Sequence, residues 1–299
     1  MHKDIIHGAY IINKLRTTYP NMESQIITLS YSAMYASRIT KNESFERYIP
    51  LTNGAIMDSH FMNQLYNKYL SLEDSQEWVI SSWDKEYVYI GRDDIRAYID
   101  RNHVDNKTNL SIGSSMILKF PLLELYRQPG FIVRNGKIKL QSGLLTRIYI
   151  NIKSFHSGWI LGSLSELLDN LCIPYYLKIL AHPKMYLRCD SCVVYVATED
   201  LLRVTDIILD SIERNNIKLM GRVPLMTMQL AKGIGIADEP SDILSDQMSY
   251  GQWVSSLFVT NSLNVDDPKV IAKKVEMEII KLGRNPECPY LRSDRTSLY

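Results

Sequence analysis

The sequence predicts an α+β fold: a helical N-terminal part, followed by a mostly antiparallel sheet flanked by helices. Three observations predict it. Apolar residues recur at helical spacing through about the first 75 residues, short runs of branched and aromatic residues take over from Trp78, and helical stretches interleave with the later runs. On this reading residues 1–75 form a helical subdomain and residues 76–299 an α+β domain.

The elements follow in order. Ile5, Ile6, Tyr10, Ile11 and Leu15 mark one helical stripe; Ile26, Ile27, Leu29, Met34 and Tyr35 mark a second, and Phe61, Leu65, Tyr69 and Leu70 a third. WVISSWDKEYVYIGR, from Trp78 to Arg92, reads as two short strands joined by a charged turn. SMILKF, GFIVRNGKIKL, TRIYINI, PYYLKIL and DSCVVYVAT are further strands, rich in the side chains that suit a pleated surface. The Asn135-Gly136 pair inside the second of these predicts a two-residue hairpin, because both residues accept the positive φ of such a turn. Ser157–Leu171 fits a helix, and Thr198 or Asp200 is placed to cap another that runs to about Asn215. Asp267-Pro268 predicts a helix start, with a capping carboxylate and then a proline whose missing N–H costs nothing; Gly283 ends that helix.

The 299 residues suffice for one large domain or two small ones, and a chain of this length buries a full core without disulfides or metals. Lys and Arg number 34 against 33 Asp and Glu, which excludes a basic nucleic-acid coat and an acidic solvating tail. Apolar residues at 45% and charged residues at 22% match a folded chain. Tyr outnumbers Phe 19 to 6, giving walls that are apolar yet able to donate hydrogen bonds, as a peptide-binding surface or a half-buried sheet uses. Four cysteines are too sparse for a secreted scaffold and point to a reducing compartment. Lys3, Asp4, Lys14 and Arg16 interrupt any signal-peptide core, and no apolar run approaches the roughly 20 residues of a membrane helix. The expectation is a cytoplasmic protein with no membrane or nucleic-acid partner.

Most short motifs are rejected. Cys189-Asp190-Ser191-Cys192 has metal or redox spacing but no second ligand pair, and reads as two ordinary thiols. Gly233-Ile234-Gly235 lacks the third glycine of a dinucleotide fingerprint and reads as a tight turn. His156 reads as a surface histidine. Polar residues within strands carry more. Arg147 and Tyr149 share one strand face, as do Tyr176 and Lys178 on another strand. Arg188 and Tyr195 are seven apart, so a flat strand separates them, and Arg188 joins such a face only from a loop or across a bulge. The competing assignment is structural: either arginine pairs with Asp190 and no ligand is involved.

The residues from about Met116 to Leu291 resemble the HopA-type effector family of type III secretion, a domain that also occurs as the stand-alone lyase of class V lanthipeptide pathways. The matching elements come in order: Lys119-Phe120-Pro121, Pro129-Gly130-Phe131, Arg147-Ile148-Tyr149, Pro174 to Ile179, Tyr186 to Asp190, Val194-Tyr195, Leu230 to Pro240, and Cys288 to Leu291. The resemblance implies a bacterial phosphoserine/phosphothreonine lyase, remotely similar to the OspF/SpvC-type enzymes. It assigns Lys178 as general base, Tyr149 as the candidate acid, and Arg147, Arg188 and Tyr195 as phosphate-binding residues. It further implies no metal or organic cofactor, a phosphorylated precursor peptide as substrate, and a separate kinase and cyclase in the same pathway. A lysine base must be neutral at working pH, which burial beside other cations favours. This chain departs from the pattern twice. Tyr149 stands where OspF-type enzymes place a histidine, and Ser249-Tyr250-Gly251-Gln252-Trp253 lacks a following arginine, for which Arg222 and Lys232 are candidate replacements. The alternatives are a binding module of the same family that grips a peptide or partner without turnover, and a phosphatase.

Overall fold

The computed structural model describes residues 2–21, 25–47, 56–69, 73–104, 110–141, 143–240 and 248–297; Leu70 lies outside them. The chain falls into two compact units, one made of residues 1–67 and 124–299 and the other of residues 68–123. The boundary expected near residue 75 falls within a strand, and the N-terminal helices belong to the same unit as the larger sheet.

Three of the expected helical stretches form: α1 (Lys3–Thr18), α2 (Ile26–Leu29, continuing as a π-helical turn Ser30–Ala36) and α3 (Ser59–Tyr69). In the smaller unit, β1 (Glu73–Trp83), β2 (Tyr87–Arg92), β3 (Ile95–Asp100) and β4 (Ser115–Pro121) pair antiparallel in the order β3-β2-β1-β4. The charged turn between β1 and β2 is held by Asp84, whose carboxylate accepts from the N–H groups of Glu86 and Tyr87 at 2.8 and 2.7 Å. Strand alternation puts Trp78, Ile80, Val88, Ile90 and Met116 into this unit's own core.

A second sheet, in the larger unit from Glu124 onward, is formed by β5 (Leu123–Glu124), β6 (Phe131–Asn135), β7 (Leu145–Ile150), β8 (Tyr175–Leu180), β9 (Cys192–Ala197), β10 (Met228–Ala231) and β11 (Ile234–Asp238) in the order β10-β11-β7-β9-β8-β6-β5. The fold class is α+β, as expected. One sheet face receives α4 (Ser157–Trp159), a π-helical turn (Ile160–Leu164) and α5 (Ser165–Asn170), fastened where Arg134 and Tyr175 bond to Asp169. Beside these lies α6 (Leu201–Arg214), joined by the indole N–H of Trp159 donating to Ser211 Oγ at 3.2 Å. The other face receives the Ser30–Ala36 turn, against which α7 (Tyr250–Asn261) packs; α8 (Pro268–Lys281) completes the chain of helices.

The Asn135-Gly136 hairpin does not form. β6 pairs with β8, and the chain leaves it as Gly136 N–H donates to Tyr175 O and Lys137 N–H to the buried Asp169 carboxylate. Tertiary bonds to β8 and α5 outweigh the local turn preference. A glycine is still required there, since a Cβ would stand 2.9 Å from the Tyr175 ring. Nor do Thr198 and Asp200 cap α6 through their side chains: the Thr198 hydroxyl donates instead to Leu144 O at 2.8 Å. Asp267 does cap α8, accepting from Lys269 N–H at 2.8 Å with Pro268 at the first helical position.

The Ser249–Trp253 segment is the capped start of α7. Ser249 and Gln252 form a reciprocal capping box, and the Tyr250 hydroxyl donates to Met226 O at 2.6 Å. A Cβ at Gly251 would sit 2.3 Å from the Tyr35 ring and 2.7 Å from the Tyr31 ring. Gly251→Ala is therefore expected to destabilise the protein by about 1–3 kcal/mol despite alanine's better helix propensity, measured by chemical denaturation.

Candidate functional site

The register of the larger sheet assembles a polar face from residues far apart in sequence. Arg147 on β7 stands opposite Tyr195 on β9, which stands opposite Tyr176 on β8; in the neighbouring row Tyr149 is opposite Val193 and Val193 opposite Lys178. Arg188 reaches this face from the loop between β8 and β9, at the end of a 3-10 turn formed by Pro183–Leu187. The loop position removes the parity conflict with Tyr195. All five residues singled out from the sequence thus gather on one face.

Aromatic rings hold the three cations together. The Lys178 amine lies 4.5 Å from the Phe131 ring centroid and 5.5 Å from that of Tyr195. The Arg147 guanidinium lies over the same Tyr195 ring at 5.0 Å, and the Arg188 guanidinium faces the same Phe131 ring at 5.8 Å. Tyr195 is stacked on Tyr176 at 4.1 Å, which fixes the ring that the two cations share. Arg147, Lys178 and Arg188 are 6%, 7% and 2% exposed, so none is an ordinary solvated cation.

Each guanidinium has a carboxylate partner, and among the described residues the amine does not. Arg147 makes a two-pronged contact with Glu239 through Nε and Nη2. Arg188 does the same with Asp190 at 2.8 and 2.6 Å, and Tyr31 adds a third bond to Asp190 at 3.2 Å. Lys178 donates only to Gln128 Oε1 at 3.3 Å and makes no ion pair among the described residues. Burial opposes the charge of Arg147, but the phenols of Tyr195 and Tyr149 and the Glu239 carboxylate outweigh it and hold that guanidinium above its ordinary range. Burial opposes Arg188 as well, and Asp190 overcomes it.

Tyr35, from the turn after α2, donates to the Tyr149 hydroxyl at 2.7 Å. Burial pushes both phenols upward, with Arg147 offsetting part of the effect at Tyr149, so both keep their protons at neutral pH. With Tyr35 donating into it, the Tyr149 hydroxyl has its own proton left to give. The face therefore presents a protonated phenol beside two guanidiniums and an amine.

Sequence reasoning missed four contributors. Glu239 lies inside the Leu230–Pro240 motif, and continuing the alternation of β11 past Ala237 puts it on the Arg147 face. Tyr31 and Tyr35 carry the helical i, i+4 spacing, but spacing alone does not say that they meet a polar sheet face. Gln128 sits just before Pro129-Gly130-Phe131, with no signal of its own. The suggested replacements for the missing arginine lie elsewhere: Arg222 pairs with Glu43 at 3.0 Å, and Lys232 sits in the β10–β11 turn, at the opposite end of β11 from Glu239. His156 is half-buried in a 3-10 turn against Phe155, away from these residues.

The class is thus an α+β protein whose helix-flanked antiparallel sheet carries buried cations and phenols on one covered face. The model of the HopA1 effector protein family matches residues 125–291, over half of the chain, and the chain belongs to that family. An effector protein from Pseudomonas syringae pv. syringae strain 61 shares the fold, with 14% identity and a TM-score of 0.53 over 98% of this chain and 99% of that one. An effector protein from Pseudomonas syringae pv. tomato strain DC3000 matches at 19% identity and a TM-score of 0.44 over 54% of this chain, which spans 62% of that protein. No curated protein matches. The family read from the sequence is thus the family found. No helix among the described residues is long and apolar enough to cross a membrane.

Removing Arg188 alone leaves Asp190 as an uncompensated buried charge. Arg188→Ala is therefore expected to cost about 3–5 kcal/mol of stability, and Arg188→Ala with Asp190→Ala to recover part of it, read from denaturation midpoints. Cys189 and Cys192 are buried free thiols, and burial pushes Cys189 up to about 12 and Cys192 upward too. A thiol reagent is expected to label Cys172 and Cys288 in the native protein, and Cys189 and Cys192 only after denaturation.

Proposed function

We propose that this protein is a phosphoserine/phosphothreonine lyase that removes phosphate from a peptide by β-elimination, leaving dehydroalanine or dehydrobutyrine. The observation that carries the reading is the asymmetry among the three buried cations. Both guanidiniums are held by carboxylates, while the amine, over Phe131 and Tyr195, has no counter-ion among the described residues. That amine is the buried nitrogen in the site that no carboxylate among the described residues engages.

In the proposed reaction Lys178 Nζ takes the Cα proton of the phosphorylated residue. The C–H electron pair becomes the Cα=Cβ bond, and the Cβ–O bond breaks with its electrons leaving on phosphate. Arg147 and Arg188 offset the growing charge of the departing group, each with the guanidinium edge its carboxylate leaves open. Tyr149 gives its proton to the bridging oxygen, and Tyr35, donating to Tyr149, keeps that proton turned toward the site. Tyr195 acts as the floor that spaces Arg147 from Lys178 rather than as a direct phosphate ligand. On this reading the substrate is a lanthipeptide precursor phosphorylated by a separate kinase in the bacterial cytoplasm, and a cyclase consumes the dehydro product.

A second reading, a binding module of the same family, is favoured by the occupied guanidiniums and by the missing arginine after Gly251. Mass spectrometry of a phosphopeptide incubated with the pure protein separates the readings. Loss of phosphoric acid supports the lyase, loss of the phosphoryl group with the hydroxyl retained indicates a phosphatase, and an unchanged but bound peptide indicates the module. Lys178→Ala is expected to lower elimination by at least about 10²–10⁴-fold with an unchanged circular-dichroism spectrum; wild-type turnover by this variant removes Lys178 from the mechanism.

A further inference from the structure

The two carboxylates that hold the site's arginines are not equivalent. Asp190 is 2% exposed and takes three hydrogen bonds, two from Arg188 and one from Tyr31, so it is fixed between a loop and the N-terminal helical layer. The Glu239 side chain is 25% exposed, against 7% for its partner Arg147, and Arg147 is the only side chain bonded to its carboxylate among the described residues. It lies one residue past the end of β11, anchored there by its own N–H donating to Leu145 O. Its carboxylate can turn toward water by giving up one side-chain partner; that of Asp190 would have to give up both Arg188 and Tyr31.

We propose that Glu239 is a specificity-determining residue that occupies the phosphate seat at Arg147 until a sufficiently charged ligand displaces it. This inference deepens the lyase reading and rests on its assignment of the site to a phosphomonoester. The physical argument is a competition for one guanidinium fork. Glu239 brings a single negative charge and reaches only Arg147. A phosphomonoester brings about −1.5 to −2 charges and three acceptor oxygens at neutral pH, enough to engage the open guanidinium edges of Arg147 and Arg188 together. A sulfate ester or a carboxylate brings one charge, no more than Glu239 itself, and gains nothing by the exchange. The residue thus sets a charge threshold: dianionic esters enter, and monoanionic ones of similar shape are refused by a negative group already in place.

The test uses the full chain and binding rather than turnover. Two peptides of one sequence serve as probes. One carries the phosphonate isostere of phosphoserine, with a methylene in place of the bridging oxygen so that phosphate cannot leave; the other carries a serine sulfate ester. By calorimetry, wild type is expected to bind the phosphonate peptide and to refuse the sulfate peptide. Glu239→Gln, which keeps the shape and removes the charge, is expected to bind the phosphonate peptide about tenfold tighter and to accept the sulfate peptide. Glu239→Ala, with a matched melting temperature, serves as the second variant and is expected to behave alike. Unchanged or weaker phosphonate binding by both variants, or sulfate binding by wild type equal to phosphonate binding, overturns the proposal and makes Glu239 a structural partner of Arg147. The lyase reading fails separately: wild type that binds the phosphonate peptide but forms no dehydro residue from the phosphoserine peptide refutes elimination and leaves the charge threshold standing.

Discussion

Burying three cations on one face of one sheet is the constraint around which this molecule is built. An unpaired charge taken out of water is costly, and the cost falls only if the surroundings supply opposite charge, hydrogen bonds or polarisable rings. Arg147, Lys178 and Arg188 receive these in different proportions: a carboxylate and a ring for Arg147, a carboxylate and two rings for Arg188, two rings and an amide for Lys178. Neighbouring parts of the larger unit serve this arrangement. The β7–β9–β8 register stacks the rings, the 3-10 turn before Arg188 lifts that residue onto the face, and the turn after α2 covers it with Tyr31 and Tyr35.

Local chemistry made several elements legible. Asp267-Pro268 and Gly283 bracket α8 because a cap and a terminator act within a few residues and need nothing from the rest of the fold. The charged turn at Asp84 and the Gly233 turn are likewise self-contained. Asn135-Gly136 failed as a hairpin for the opposite reason. The N–H groups of Gly136 and Lys137 are claimed by Tyr175 and Asp169, which are more than 30 residues away and invisible to a local rule.

The site was legible in part, on the same physical grounds. Strand parity alone joins Arg147 with Tyr149 and Tyr176 with Lys178, and the family resemblance supplied their order. What parity cannot supply is which strands lie side by side, so the shared Tyr195 ring and the Tyr176 stack follow only from the observed strand order. Pairing with Asp190 was foreseeable for Arg188, two residues away; the partner of Arg147 was not, because Glu239 lies 92 residues along the chain and arrives through β11.

The residues matched to the family begin at 125, yet the site does not. Tyr31 holds Asp190, Tyr35 holds Tyr149, and Ala36 O accepts from the backbone N–H of Cys189, beside Arg188. A fragment starting at the matched boundary would keep all three cations and both carboxylates but expose their face to water, where the ion pairs weaken and the shared rings lose their cover. The larger unit, residues 1–67 and 124–299, joins the N-terminal helices to the sheet that bears these cations. Helices that contribute no cation thus give the cations their low-dielectric setting, and the chemistry of residues 147–239 depends on a segment more than a hundred residues before the first of them.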